Sequence, residues 1–236
     1  MIKGKASNAA LFWEGFRTAL PVTIAIMPFG MLFGAIAIDN GFTTADAVFM
    51  SAAIFAGASQ MVGLELFGQH IAPWMIVLSI FAVNFRHVLY SAAVGRRIQH
   101  FSFIQKALTF FFLADPQYAD VESRAEAGKP VTFIGYLGFS MCIYPMWVID
   151  GYIGARFGKL IKDPYAWGID FMLPMYFMCL VMGFRSREHW FPVVAASALS
   201  SILAYHFIGS PWHVSIGAIG GIAVAVILAK PKEANL

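Results

Sequence analysis

Asn84, Arg86 and His87 stand inside FAVNFRHVLY, a run otherwise apolar enough to lie in lipid. An arginine at the centre of a bilayer costs about 2.5–3.5 kcal/mol on insertion scales, so it is kept where a cavity or partner compensates it. Asn84 and His87 are three residues apart and Arg86 and Tyr90 four apart, so each pair shares a helical face. Arg86 offers the parallel donors that hold a carboxylate in two bonds, and His87 can take up and release a proton near neutral pH. A simpler account is that Arg86 snorkels to an interface from a helix ending near Arg96, a reach of about 15 Å of helix.

A second cluster is Gly57, Ala58, Ser59 and Gln60. Three small residues let backbones approach closely, and Gln60 brings donors and an acceptor to a depth where water is scarce, which would receive an ammonium or carboxylate without adding net charge. The same residues also describe plain helix packing with Gln60 as interhelical glue. Asp115 follows FFFLA and precedes Pro116, which cannot continue a helical hydrogen-bond ladder, so a carboxylate falls beside a break. Asp150, in YPMWVIDGYIG, is either a coupling carboxylate or a residue near the interface, the latter favoured, with Arg86 or Arg156 as possible partners. Glu65 and Asp170 fall near segment ends and read as interfacial.

The elements that must carry these residues follow from composition. Of the 236 residues 59% are hydrophobic and 12% charged, with a mean hydropathy of +0.70. A soluble domain carries about twice that charged fraction. Eight candidate segments, roughly 17–38, 44–68, 73–95, 101–118, 131–156, 165–184, 190–208 and 212–229, predict an all-α polytopic membrane protein of seven or eight spans in one membrane domain, 1–236. The fourth is the weakest, because Lys106 and Asp115-Pro116 bracket a short apolar core, and it reads as a half-helix. The first apolar run is too long for a signal-peptide core, so it reads as an uncleaved first helix. Cys142 and Cys179 fall in apolar segments and read as packing residues.

If all eight cross, Lys3, Lys5, Arg17, Arg124, Lys129, Arg185, Arg187, Lys230 and Lys232 gather on the side of both termini, against Arg96, Arg97, Arg156, Lys159 and Lys162 opposite. The excess predicts cytoplasmic termini, with the Arg96-Arg97 pair misplaced. Trp13, Trp74, Trp190 and Trp212 sit near helix ends, where interfacial belts form. A shift of 117 residues pairs Pro28 with Pro145, Gly34 with Gly151, Gly41 with Gly158 and Asp46 with Asp163, which predicts two related halves, 1–118 and 119–236. Pro28, Gly30, Gly34 and Pro145 are then the expected helix breaks that free backbone groups for a solute.

Four stretches, MPFGMLFG (27–34), FAGASQ (55–60), NFRHVLY (84–90) and FFLAD (111–115), resemble the AzlC family, the large subunits of branched-chain amino-acid exporters, in order and over the whole chain. The resemblance implies a bacterial inner-membrane permease that exports leucine, isoleucine and valine, with methionine as a further substrate. It also implies a small hydrophobic partner of the AzlD type and use of the proton-motive force. On that reading Gly57, Ala58, Ser59, Gln60, Asn84 and Arg86 bind the substrate and His87 and Asp115 handle the proton, to which Asp150 is added from its own position in an apolar run as a candidate coupling carboxylate. The chain departs from the family where Pro116 replaces the usual acidic residue and where Asp150 replaces an uncharged one.

Two rivals remain at this stage. A passive amino-acid or small-solute channel leaves no strong sequence signal. An intramembrane serine peptidase is the other, since Gly57–Ser59 resembles the rhomboid nucleophile motif with His206 as base, although Gln60 stands where rhomboids carry glycine. No nucleic acid, metal or cofactor is expected: the basic residues are scattered between apolar runs, and the six histidines show neither i, i+3 or i, i+4 pairs nor HExxH. The chain is therefore expected not to be an enzyme.

Overall fold

A computed structural model describes residues 7–158, 175, 178–179, 181–209 and 212–229. All elements among them are helical: α1 (Asn8–Asp39), α2 (Thr44–Ala53), α3 (Gly57–Gly68), α4 (Pro73–Arg97), α5 (Phe103–Phe111), α6 (Asp115–Glu126), α7 (Phe133–Phe157), α8 (Trp190–Phe207) and α9 (Trp212–Leu228). Four of these, α1, α4, α7 and α8, are long and apolar enough to cross a bilayer, and α9 carries a shorter apolar stretch, Ser215–Leu228. The segment expected over 165–184, with Asp163 and Asp170, lies largely outside the described residues.

The spine is α1 packed lengthwise on α7. Gly15 meets the backbone of Gly135, Gly138 that of Phe12, Gly34 that of Gly151 and Ala155, and Gly154 that of Met31. Partner numbers rise together along both helices, so the two run parallel. At each of these glycines an added Cβ would overlap backbone atoms. The close approach is what small residues permit where lipid removes most of the hydrophobic drive for helix association.

The expected breaks at Pro28, Gly30, Gly34 and Pro145 are not there: α1 runs unbroken through Pro21 and Pro28, and α7 through Pro145. Gly30 and Gly34 give α7 clearance; a proline inside a membrane helix need not break it.

The interruptions fall elsewhere. α2 starts beside Asn40 with a Thr43–Asp46 capping box and runs inward against α7, where Ser51 faces Gly151 and the Tyr144 hydroxyl donates to the Ala52 carbonyl at 2.9 Å. The chain turns at Ile54–Ala56, and α3 goes back to the same end, finishing with Gly68 against Asn40 and Phe67 against Phe42. α4 then runs to the end where α1 begins, marked by Glu14. From there α5, opened by a Ser102–Gln105 capping box, turns inward. After a break at Phe112–Ala114, α6 returns alongside α4, with Asp115 at Arg86 and Glu122 at Arg97. Segments 44–68 and 101–118 are thus folded-back hairpins, not spans. Their tips meet on one ring, with Phe55 at 5.3 Å and Phe112 at 5.2 Å from the Tyr144 centroid.

With neither hairpin crossing, Arg96 and Arg97 join Arg17, Arg124, Lys129, Arg185 and Arg187 at the Glu14 end, and the misplaced pair is resolved. Ion pairs close that end: Glu122 is shared by Arg97 and Arg187, Glu126 takes Arg187, and Arg124 joins Glu14 to Asp120. α8 and α9 form an antiparallel pair through Gly217, Gly220 and Gly221 against Ser197, Ser200 and Ser201. It leans on α4 where the Ser215 hydroxyl donates to the Ala82 carbonyl at 2.9 Å. Trp13, Trp74 and Trp212 are exposed, as belt residues would be. Cys142 is buried in the spine beside Thr23, whereas Cys179 is exposed.

The seam makes a direct prediction. Gly34→Leu should cost about 3 kcal/mol or more by overpacking, read as loss of the monodisperse peak in detergent gel filtration, whereas Gly183→Ala, with nothing within 4 Å of its added carbon, should elute and melt like the parent.

Candidate functional site

Both inner helices start without the side-chain cap that opens each hairpin, as α4 on Ala72 and α8 on His189 also do. α1, α2, α5 and α7 begin on Ser7, Thr43, Ser102 and Thr132, whose side chains accept the first-turn amides. α3 and α6 begin on Ala56 and Ala114, with no side-chain cap. The first-turn N–H groups of these two inner helices therefore have no side-chain acceptor from their caps, in the middle of the bundle, where donors are costly to leave unmet.

Around the first tip, Gln60 is fully buried. Its amide nitrogen donates to Ser51 Oγ at 3.5 Å and its oxygen accepts from Trp147 Nε1 at 3.2 Å, tying α3 to α2 and α7. Both ends of the amide are used by the protein, so Gln60 is interhelical glue. Gly57 packs under Phe29 and Trp147, where a Cβ would come within 2.8 Å of each ring. Ser59 Oγ donates to Asn84 Oδ1 at 2.5 Å, joining α3 to α4. A serine whose proton goes to an amide oxygen has no general base, and His206 lies on the last turn of α8 against Phe207. Among the described residues no hydrogen bond joins Ser59 to His206.

The second tip carries the charges. Arg86 Nη1 is 3.1 Å from Asp115 Oδ1, and Tyr90 donates its hydroxyl to the same oxygen at 2.9 Å. Tyr90 stacks on Tyr118 at 4.3 Å, and the His87 ring stands edge-on to Tyr90 at 5.6 Å. The Arg86 and Asp115 side chains are 18% and 14% exposed, so the pair is mostly withdrawn from its surroundings. Arg86 therefore does not snorkel: its charge is matched one helix away. Pro116, in the first turn of α6, lets the helix begin at Asp115 at no cost in hydrogen bonds.

Asp150 lies elsewhere, on the face of α7 that meets Gly30 of α1, fully buried. The interfacial reading of Asp150 is corrected, and so is its pairing: neither carboxylate oxygen bonds to Arg86, Arg156 or any other described group. The interface reading failed because hydropathy shows that a run is buried in lipid but not which face meets a neighbour.

The structure thus brings Ser59 to Asn84 and Arg86 to Asp115, places Gly57, Ala58 and Gln60 at the first tip and His87 beside Tyr90, and sets Asp150 apart. Tyr118, Trp147 and Ser51 were not singled out from sequence, and Tyr90 was noted only as sharing a helical face with Arg86. Tyr90, four residues after Arg86, carried a usable signal, and Trp147, three before Asp150, carried a weaker one.

The description "AzlC protein" matches residues 21–161, more than half the chain. This chain belongs to the AzlC family. The chain is 29% identical over 231 residues to "Inner membrane protein YgaZ" of Escherichia coli (strain K12), covering 95% of this chain and 93% of that protein. It is 28% identical, with 93% of each chain covered, to an "Uncharacterized membrane protein" of Archaeoglobus fulgidus, and 27% identical over 78% of its length to one of Helicobacter pylori. No solved structure matches. The matched span of the family runs from mid-α1 to just past α7, so it contains both hairpins, α7 and the second half of α1.

The half-buried pair makes the second prediction. Asp115→Leu removes the carboxylate that faces Arg86 and should cost about 3–5 kcal/mol, whereas Arg86→Met combined with Asp115→Leu should recover much of that loss, as read from melting temperatures of the three purified proteins.

Proposed function

We propose that this protein is an inner-membrane transporter that exports branched-chain amino acids, leucine, isoleucine and valine, with methionine as a further substrate. It works with a small hydrophobic AzlD-like subunit and is driven by the proton gradient. The carrying observation is the Arg86–Asp115 pair at the tip of a folded-back hairpin. An α-amino acid has the same two charges on one carbon. Its carboxylate can take Arg86 and its ammonium Asp115, so the solute replaces the pair with no net charge added to a dry site.

The second support is the wall beside it. Phe55, Phe111 and Phe112 gather on Tyr144 between the two tips. Such an apolar surface suits a branched aliphatic side chain and gives nothing to a polar one. Asn84, held by Ser59, is placed to meet a carboxylate, and the uncapped starts of α3 and α6 add donors directed at the same middle region. Basic residues collected at the Glu14 end support cytoplasmic termini. The two halves, 1–118 and 119–236, remain our reading of the 117-residue shift.

Cells loaded with a leucine dipeptide are expected to hold less internal leucine when they express the protein with its partner, and Arg86→Gln should abolish the difference. Unchanged internal leucine with and without the parent protein would refute the export reading, and leucine flux in vesicles indifferent to a pH gradient would favour the passive channel.

A further inference from the structure

Asp150 is the group that this reading leaves unused. It lies in the C-terminal half of α7, 0% exposed, and neither carboxylate oxygen has a hydrogen-bond partner. Opposite stands Gly30 of α1, where an added carbon would come within 2.8 Å of Asp150 Cβ and 3.6 Å of Oδ2. Next to it Gly151 faces Ser51 of α2, and one turn back Trp147 holds Gln60 of α3. From the elements packed around it come Gly30, Ser51 and Gln60, and no described ion pair includes Asp150.

A carboxylate withdrawn from water with neither a cation nor donors cannot stay charged at tolerable cost; it keeps a proton instead. Asp115 is the contrast, since Arg86 and Tyr90 compensate its charge. A metal cation fits poorly: Ser51 Oγ and Gln60 Oε1 already accept from Gln60 and Trp147, and among the described residues no group of acidic, histidine or cysteine side chains gathers.

We infer that Asp150 carries the coupled proton of this transporter, at a site separate from the Arg86–Asp115 solute site. In the conformation seen here the proton sits on the Asp150 carboxyl; it leaves to water as H⁺ when the cycle moves the inner helices α2 and α3 off α7, and a proton from the other side restores the acid. The inference rests on the transport reading above. A chain of contacts joins the two sites: Asp150 is one turn from Trp147, Trp147 donates to Gln60, the adjacent Ser59 donates to Asn84, and Asn84 precedes Arg86 by two residues. A change of charge at Asp150 would move the bond that positions α3, and with it the helix carrying Arg86.

The test uses the full-length protein with its co-purified subunit, in liposomes. At one proton per leucine, a pH difference of one unit should drive about tenfold leucine accumulation by the parent protein. Asp150→Asn should abolish that accumulation yet keep leucine–leucine exchange near the parent rate, with partial recovery in Asp150→Glu. Infrared spectra of the parent at neutral pH should show a protonated-carboxyl band that Asp150→Asn removes. Full accumulation by Asp150→Asn overturns the inference, as does survival of the band or loss of exchange together with accumulation in a variant that still elutes as folded protein. A parent that moves no leucine but shows the band lost in Asp150→Asn supports the protonated Asp150 and sinks the leucine reading instead.

Discussion

A charge inside a bilayer has to be matched, and in this protein the match between Arg86 and Asp115 fixes much else. It requires a carboxylate at mid-depth beside α4, so a second chain segment has to reach the middle of the bundle without continuing through it. The α5–α6 hairpin does that, and Pro116 makes it possible by starting α6 where the carboxylate is needed. Tyr90 and Tyr118 complete the arrangement as a stacked pair, with the Tyr90 hydroxyl on the same oxygen that Arg86 holds. The Arg97–Glu122 pair holds the rest of this polar helix against α4.

The two hairpins are matched in design although they come from opposite ends. Each has a side-chain cap at its outer start, a break of three residues at its tip, and an inner helix that begins on alanine. The breaks coincide with FAGAS and FFLAD, two of the stretches that carry the family resemblance. Those stretches are therefore turning points as well as site residues, and the small side chains of the first serve the crowding under Phe29 and Trp147.

Much of this was legible in the sequence. An all-helical membrane fold follows from composition, and Arg86, Asn84, Ser59 and Asp115 stood out because polar residues are rare in such runs. The weak fourth segment was read as a half-helix, for the right reason. The second segment was not, since hydropathy registers apolar length and is blind to a turn made of Ile54, Phe55 and Ala56, none of which is a breaker. The reverse error occurred at Pro28 and Pro145, where a local rule about proline was overridden by packing along the whole spine. Asp150 was misplaced because depth and facing are different properties, and a single sequence reports the first far better than the second.

The α1–α7 spine has one more consequence. Joints between helices normally slide by exchanging side-chain rotamers, and a joint of peptide against peptide has none to exchange. The spine should therefore act as a stator, with the short inner helices, each anchored at one end of the bundle, as the parts free to shift. A movement of that kind displaces about a dozen residues at a time, so opening toward one compartment need not disturb the seal facing the other.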